Sequence, residues 1–190
     1  MTESNGLTRV VDGTEVPAAG KYVIDTSHAM VGFVVKHMMF SKVRGSFKEF
    51  EGEINVADDI ENSSVSANIK LASIDTGEEQ RDAHLKSGDF FNIDQHPEMT
   101  YAGNKVRKNG DKWILDGQLS LHGVTKDVPL TIEFTGSGTD PYGNQRIGLS
   151  ASTEINREDF GLTTNIVLEA GGFVIGKDIK IEIELEAIKQ

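Results

Sequence analysis

The chain has 190 residues, of which 30 are acidic and 19 basic, giving a formal net charge of −11; it has no cysteine, and 37% of its residues are hydrophobic. That length suits one domain with a full core, and the missing cysteine removes disulfides, thiolate metal sites and a Cys nucleophile together. A field this negative repels a phosphate backbone and disfavours an anionic membrane surface, and with no Lys/Arg cluster to override it, nucleic acid is excluded as a partner.

Residues 1–20 carry Gly6, Gly13 and Pro17-Ala-Ala-Gly20. They are expected to form a flexible or loosely docked N-terminal tail, with at most a short strand at Leu7–Val11. The start lacks an apolar signal core, and no run approaches the roughly 18 apolar residues of a membrane helix. The expectation is a cytoplasmic chain without stable membrane insertion, its single domain spanning 21–190.

Tyr22–Asp25 reads as a short strand. Val31, Phe33 and Val35 then share one face at period two, and His37 follows the same parity. Past a turn near Ser41, Phe47 leads into Phe50, Gly52, Ile54 and Val56; the parity switch between Phe47 and Phe50 predicts a bulge. After a polar turn at Ala57–Asn62, Ser64–Asp75 reads as one long strand. Thr76-Gly-Glu-Glu79 fits a capping box, opening a helix that runs to about Lys86 and stops at Gly88. Phe90-Phe91 and His96-Pro97 lead back into a strand near Met99–Val106.

The second half alternates cleanly. Lys108-Asn-Gly-Asp111 is a hairpin turn signal, after which Trp113, Leu115, Leu119 and Leu121 share a face. Val128, Leu130, Ile132 and Phe134 follow a turn at Gly123–Lys126. Asp140-Pro-Tyr-Gly143 turns the chain into Ile147, Leu149, Ala151 and Ile155, and Ile179, Ile181, Ile183 and Leu185 close the series. Successive strands of this kind make an antiparallel sheet with one dry face, and closure removes its edges. The fold class is all-β: a closed antiparallel up-and-down β-barrel of about eight strands with a short helix near residues 77–87. Such a barrel is just wide enough to be filled by side chains or to admit one small ligand.

Catalytic and metal chemistry find little footing. His28 and His37 are nine apart and would face opposite sides of a regular strand, and His84, His96 and His122 lie on separate elements, so no metal site is expected. There is no G-x-S-x-G, H-E-x-x-H or Walker loop. Asp159-Phe160-Gly161 spells a kinase phrase with nothing else of a kinase around it. Arg81 with Asp82, and Arg157 with Asp159, read as buried pairs that anchor the chain. No catalytic residue is assigned and no cofactor is required.

Several phrases together carry a resemblance: Tyr22-x-Ile24-Asp25, His28-x-x-Val31-Gly32-Phe33-x-Val35-Lys36-His37, Val43-x-Gly45-x-Phe47-x-x-Phe50-x-Gly52, Arg81-Asp82-x-His84-Leu85, Asp89-Phe90-Phe91, Gly117-x-Leu119-x-Leu121-x-Gly123 and Asn156-Arg157-x-Asp159-Phe160-Gly161. In this order they resemble the YceI-like family of lipid-binding proteins over roughly residues 20–188. The resemblance implies a lipocalin-like barrel, not an enzyme, around an elongated apolar tunnel. It would hold a polyisoprenoid or the tail of an isoprenoid quinone, for carriage, storage or sequestration. The chain departs from that pattern at Ala29, where relatives often have a serine, and at Met39, where they often have a small residue.

On this reading Val31, Phe33, Val35, Phe47, Leu119, Leu121, Leu149 and Ile183 line the tunnel. Met38, Met39, Phe40, Phe90 and Phe91 lie nearer its mouth, and His37 faces a ligand headgroup. A buried methylene contributes about 0.8 kcal/mol and association costs roughly 4–15 kcal/mol, so a long chain is favoured over a short one. The alternative is an enzyme acting on an isoprenoid-like substrate with His37 as acid/base, which requires a polar partner within hydrogen-bond reach of that ring. Met30 and Val34, on the opposite face, would allow a homodimer or lie under a covering helix.

Overall fold

Period-two alternation gives each strand one apolar face, and the sheet hides that face by closing on itself. The computed structural model describes residues 6–190. Its strands are β1 (Thr8–Val11), β2 (Thr14–Pro17), β3 (Gly20–His37), β4 (Ser41–Phe47), β5 (Phe50–Val56), β6 (Ser64–Lys70), β7 (Ile74–Asp75), β8 (Glu98–Asn109), β9 (Lys112–Leu121), β10 (Val124–Asp127), β11 (Leu130–Thr139), β12 (Gln145–Asn156) and β13 (Ile175–Lys189), with one α-helix, α1 (Glu79–Lys86). Eight positions follow one another around the barrel in the order β13-β12-β11-β9-β8-β6-β5-β3, and β13 pairs with β3 to close it. The predicted closed eight-stranded barrel with a short helix is therefore what forms. β4 continues the line of β5 along β3, while β10 and β11 share β9 as a partner. Pro129 stands between those two strands, where its missing N–H ends one ladder before the next begins.

Two irregularities bend the part of the wall built by β3, β4 and β5. The first is the predicted one between Phe47 and Phe50: the amides of Lys48 and Glu49 leave the ladder and donate to Ser73 Oγ at 3.1 and 3.0 Å. The second lies in β3 and has no counterpart in the expected pattern. Between the pairs Ile24–Ala187 and Ala29–Leu185, four residues of β3 stand opposite the single Glu186 of β13. Asp25–His28 bulge outward there, and Asp25 accepts from Ser27 Oγ at 2.6 Å and Arg146 Nη1 at 2.6 Å. The expected short strand at Tyr22–Asp25 is thus the first third of an 18-residue strand.

Three other local expectations are corrected. Ser64–Asp75 is not one strand: a 3-10 turn at Leu71–Ser73 separates β6 from β7, with Leu71 fully buried. The capping box does not form. Gly77, at φ +77°, turns the chain so that Thr76 stays with the barrel, and Glu78 caps α1 by accepting from the amides of Gln80 and Arg81. In place of a flexible or loosely docked tail with at most one strand, residues 6–20 form the two-stranded β1–β2 hairpin; residues 1–5 of that expectation lie outside the described residues. Leu7 and Val16 are 0% and 3% exposed, and this apolar burial is what docks the hairpin. Its edges are pinned by Arg9, which donates to the carbonyls of Ala57 and Asp58, and by Lys108, whose Nζ donates to Asp12 O at 2.9 Å.

The hairpin plugs one end of the barrel, the base, beside a tight cluster of Tyr22, Ile54, Val56, Ile147 and Ala187. Among the described residues no helix is long and apolar enough to cross a membrane.

Candidate functional site

Inside the barrel is an apolar cavity of about 730 Å³, within the usual range for small-molecule sites. Its two walls differ. Leu115, Leu119, Leu121 and Leu130 are buried against neighbouring side chains, as are Phe47 and Ile69. The wall from β3, β12 and β13 is different: Val31, Phe33, Val35, Leu149, Ala151, Ile179, Ile181 and Ile183 point inward and line the space, yet stay only half-buried. Side chains alone therefore do not fill this barrel.

Close backbone approaches shape the lining. A Cβ on Gly45 would sit 2.4 Å from Phe33 Cζ, so glycine is required for the Phe33 ring to lie across β4. That ring meets Phe47 with centroids 5.8 Å apart, and Phe47 meets Phe91 at 6.2 Å. On the far wall the Tyr101 phenol lies over Gly117 in the same way and donates to Val128 O at 2.9 Å. Burial pushes that phenol well above its ordinary pKa, so it stays neutral and its hydrogen bond is internal. Trp113 Nε1 is a buried donor in the lining without an acceptor among the described residues.

The mouth is the end where lining residues reach water: Gln80 and His84 of α1, and Ile166 in the loop before β13. Polar groups gather there and largely satisfy one another. Thr76 is clasped from two sides, donating its amide and hydroxyl to Asp82 Oδ1 at 3.0 and 2.5 Å and accepting from Arg81 Nε at 2.7 Å. Arg81 and Asp82 thus hold Thr76 rather than each other, which corrects the expected pair. Arg157 is 4% exposed and does not pair with Asp159 either. It donates to the carbonyls of Gly176, at 2.9 Å, and Leu162, tying both ends of the 161–176 segment to the end of β12. Burial lowers its pKa, offset in part by the neighbouring Glu158. Asn165 secures the same segment, donating to Ile175 O at 2.7 Å and accepting from Ile175 N at 3.0 Å.

Of the residues singled out from the sequence, Val31, Phe33, Val35, His37, Phe47, Phe90, Phe91, Leu119, Leu121, Leu149 and Ile183 line the cavity. Met38, Met39 and Phe40 do not. They form the β3–β4 turn, in which Met38 and Met39 take left-handed backbone angles of φ +53° and +69°, and the chain reverses outside the barrel. Phe40 is 84% exposed. Thr76, Arg81, Arg157 and Asn165 were absent from the expected site; for Arg157 the signal was its place in the quoted Asn156–Gly161 phrase, and for Asn165 there was none.

One cluster outside the cavity has metal-like spacing: ligand atoms of Asp25, His28 and Glu186 lie within 4.8 Å of one another. A cation already serves it. Arg146 reaches Asp25 at 2.6 Å, Asp140 at 2.8 Å and Glu186 at 3.1 Å, and hydrogen bonds from Ser27 and Arg146 hold the Asp25 carboxyl well below the usual carboxylate range.

Comparison with known proteins agrees with this architecture. The model of the YceI-like domain family matches residues 22–187. A UPF0312 protein of Pectobacterium atrosepticum is 35% identical over 94% of this chain and 90% of its own length, and one of Staphylococcus aureus is 38% identical over 87% and 95%. Among solved structures, the YCEI protein of Campylobacter jejuni is similar at TM-score 0.67 and 32% identity, covering 82% of this chain and 90% of that one. A polyisoprenoid binding domain from Saccharophagus degradans shares the fold at TM-score 0.65 and 16% identity, over 91% and 100%.

Proposed function

The chain belongs to the YceI-like domain family, and we propose that it binds one long apolar lipid of the polyisoprenoid class inside its barrel. The observation that carries this reading is the cavity of about 730 Å³, bounded by apolar side chains that a closed barrel leaves half-buried. Hydrocarbon entering it would cover that wall at about 25 cal/mol per Å² of apolar surface, and several isoprene units would clear the roughly 4–15 kcal/mol cost of association. The described interior offers few polar contacts away from the mouth, which suits a hydrocarbon tail; His37, Gln80, Arg81 and His84 at the mouth suit its headgroup. A structure-matched relative whose name records polyisoprenoid binding supports the same class. An isoprenoid quinone tail fits equally, and the function would be carriage, storage or sequestration.

The acid/base alternative needs a polar partner for the His37 ring. Among the described residues that ring makes no hydrogen bond or ion pair, so the observation that would favour catalysis is missing. The test is native mass spectrometry and organic extraction of protein purified without detergent, alongside Ala151→Trp, which sends a large side chain from β12 into the cavity. The expected result is a prenyl lipid from the native chain and at least about a tenfold lower yield from the variant. Recovery of no lipid from the native chain would overturn the proposal.

A further inference from the structure

Apolar side chains are left in water at one place more than any other. Of the eight large hydrophobic residues exposed among those described, five are Met39, Phe40, Ile166, Val167 and Phe173. All five belong to two loops that lie against each other at the cavity mouth. Met38 N donates to Val174 O at 2.9 Å, Val167 bridges Phe173, and the Met39 side chain packs on Gly172. The rim is therefore one continuous surface, continuous also with the lining through Ile166 and Val174.

Its electrostatics invert those of the whole molecule. In a chain of net charge −11, the stretch from Thr26 to Lys48 has no acidic residue and four basic ones, Lys36, Lys42, Arg44 and Lys48. Lys36, Lys42 and Arg44 are exposed, make no salt bridge among the described residues, and sit on the outer face of β3 and β4 just behind the rim. Glu182, on adjacent β13, is the acid that feels Lys42 and Arg44, and Glu169 is the one acidic residue between Gly161 and Val174. The other acids near the mouth are Glu78, Glu79 and Asp82, on α1 and its cap across the opening, and Asp89, whose carboxylate meets His84 Nε2 at 3.0 Å and whose carbonyl accepts from Thr164. The net charge that disfavours an anionic membrane for the chain as a whole thus does not describe this side of the mouth.

The backbone adds a third observation. Met38 and Met39 both hold left-handed angles that side chains other than glycine and asparagine rarely adopt, and the strain serves no packing inside the barrel. It presents Met39 and Phe40 to solvent beside the opening.

We infer that this rim is a docking surface for an anionic lipid bilayer, so that the cavity opens directly onto the membrane. Met39, Phe40 and Val167 enter the interface between headgroups and acyl chains while Lys36, Lys42 and Arg44 engage anionic headgroups behind them, the pairing of forces used by peripheral membrane proteins. A lipid then passes between bilayer and barrel without crossing water. The transfer role rests on the cavity holding a lipid; the docking itself does not.

The test is flotation of the native chain with phosphatidylcholine vesicles, with and without phosphatidylglycerol, while native mass spectrometry records any bound lipid. The native chain is expected to float with the anionic vesicles and to release at high salt. Phe40→Ser with Val167→Ser should weaken partitioning at least about tenfold; Lys42→Gln with Arg44→Gln should weaken it about fivefold per charge on anionic vesicles only. None of the four lines the cavity, so melting temperature and bound lipid should not change. Failure of the native chain to float, or undiminished flotation of the Phe40/Val167 variant, overturns the inference. So does a native dimer that the same variant converts to monomer, because the rim would then be a contact between two copies. Flotation without bound lipid overturns the cavity reading and leaves docking standing, and bound lipid without flotation does the reverse.

Discussion

At the base of the barrel Leu7, Tyr22 and Ala187 are wholly withdrawn from water, whereas at the mouth Phe40 and Val167 stand in it at 84% and 71% exposure. The base satisfies its apolar groups with one another: a hairpin folds back over the strand ends and its polar edges are tied down by Arg9 and Lys108. The mouth is held by polar means. Arg157, Asn165 and the Thr76 clasp fix the backbone of the surrounding segments, and the apolar side chains of those segments are left over. A barrel whose two ends are stabilised by different forces should respond to substitution differently at each, with folding lost from one and local order from the other.

The largest expected effect is at the base. Leu7→Ala removes a fully buried side chain and should cost about 3 kcal/mol of global stability, read as a lower urea midpoint. If stability is unchanged, the hairpin is an accessory and the contrast between the ends collapses. Next is Arg157→Leu at the mouth, which strips the carbonyls of Leu162 and Gly176 of their buried donor and should cost about 2 kcal/mol. Here the loss should be local, seen as faster amide exchange in residues 161–176 with the barrel strands still protected; uniform loss of protection would show that the mouth is part of the same cooperative unit as the base. The smallest effect has the opposite sign. Met39→Gly relieves a left-handed angle and should raise stability by about 1 kcal/mol, measurable as a higher melting temperature, while removing a rim side chain.

The sequence revealed the barrel where a side chain's position alone fixed its face. Residues 128–135 and 179–186 alternate without interruption, and the switch from Phe47 to Phe50 marked a bulge. The face of Tyr22 and Ile24 was hidden, because the Asp25–His28 bulge that reverses their parity reads as an ordinary polar break between strands. The mouth was misread for a related reason. Met38-Met39-Phe40 is an apolar cluster, and hydrophobicity alone places it inside; the positive φ angles that turn it outward belong to the backbone and have no signature in methionine. The clasps of Arg81, Asp82 and Arg157 depend on which carbonyl or hydroxyl comes within reach after folding, so opposite charges close in sequence suggested pairs that do not form.

The β3 bulge has one more consequence. Tyr22 and Ile24 face the interior at even positions and Val31, Phe33 and Val35 at odd ones, because the chain departs from the ladder at Asp25 and rejoins it at Ala29 having slipped out of step. The neighbouring line of β4 and β5 slips out of step as well, between Phe47 and Phe50, so Tyr22 still meets Ile54 and Val31 still meets Phe47 across the same dry face. Along this part of the chain, length itself is a signal with only two values. Losing a single codon from the loop between Asp25 and His28 would turn the whole start of the strand inside out, whereas losing two would leave every remaining side chain on its proper side.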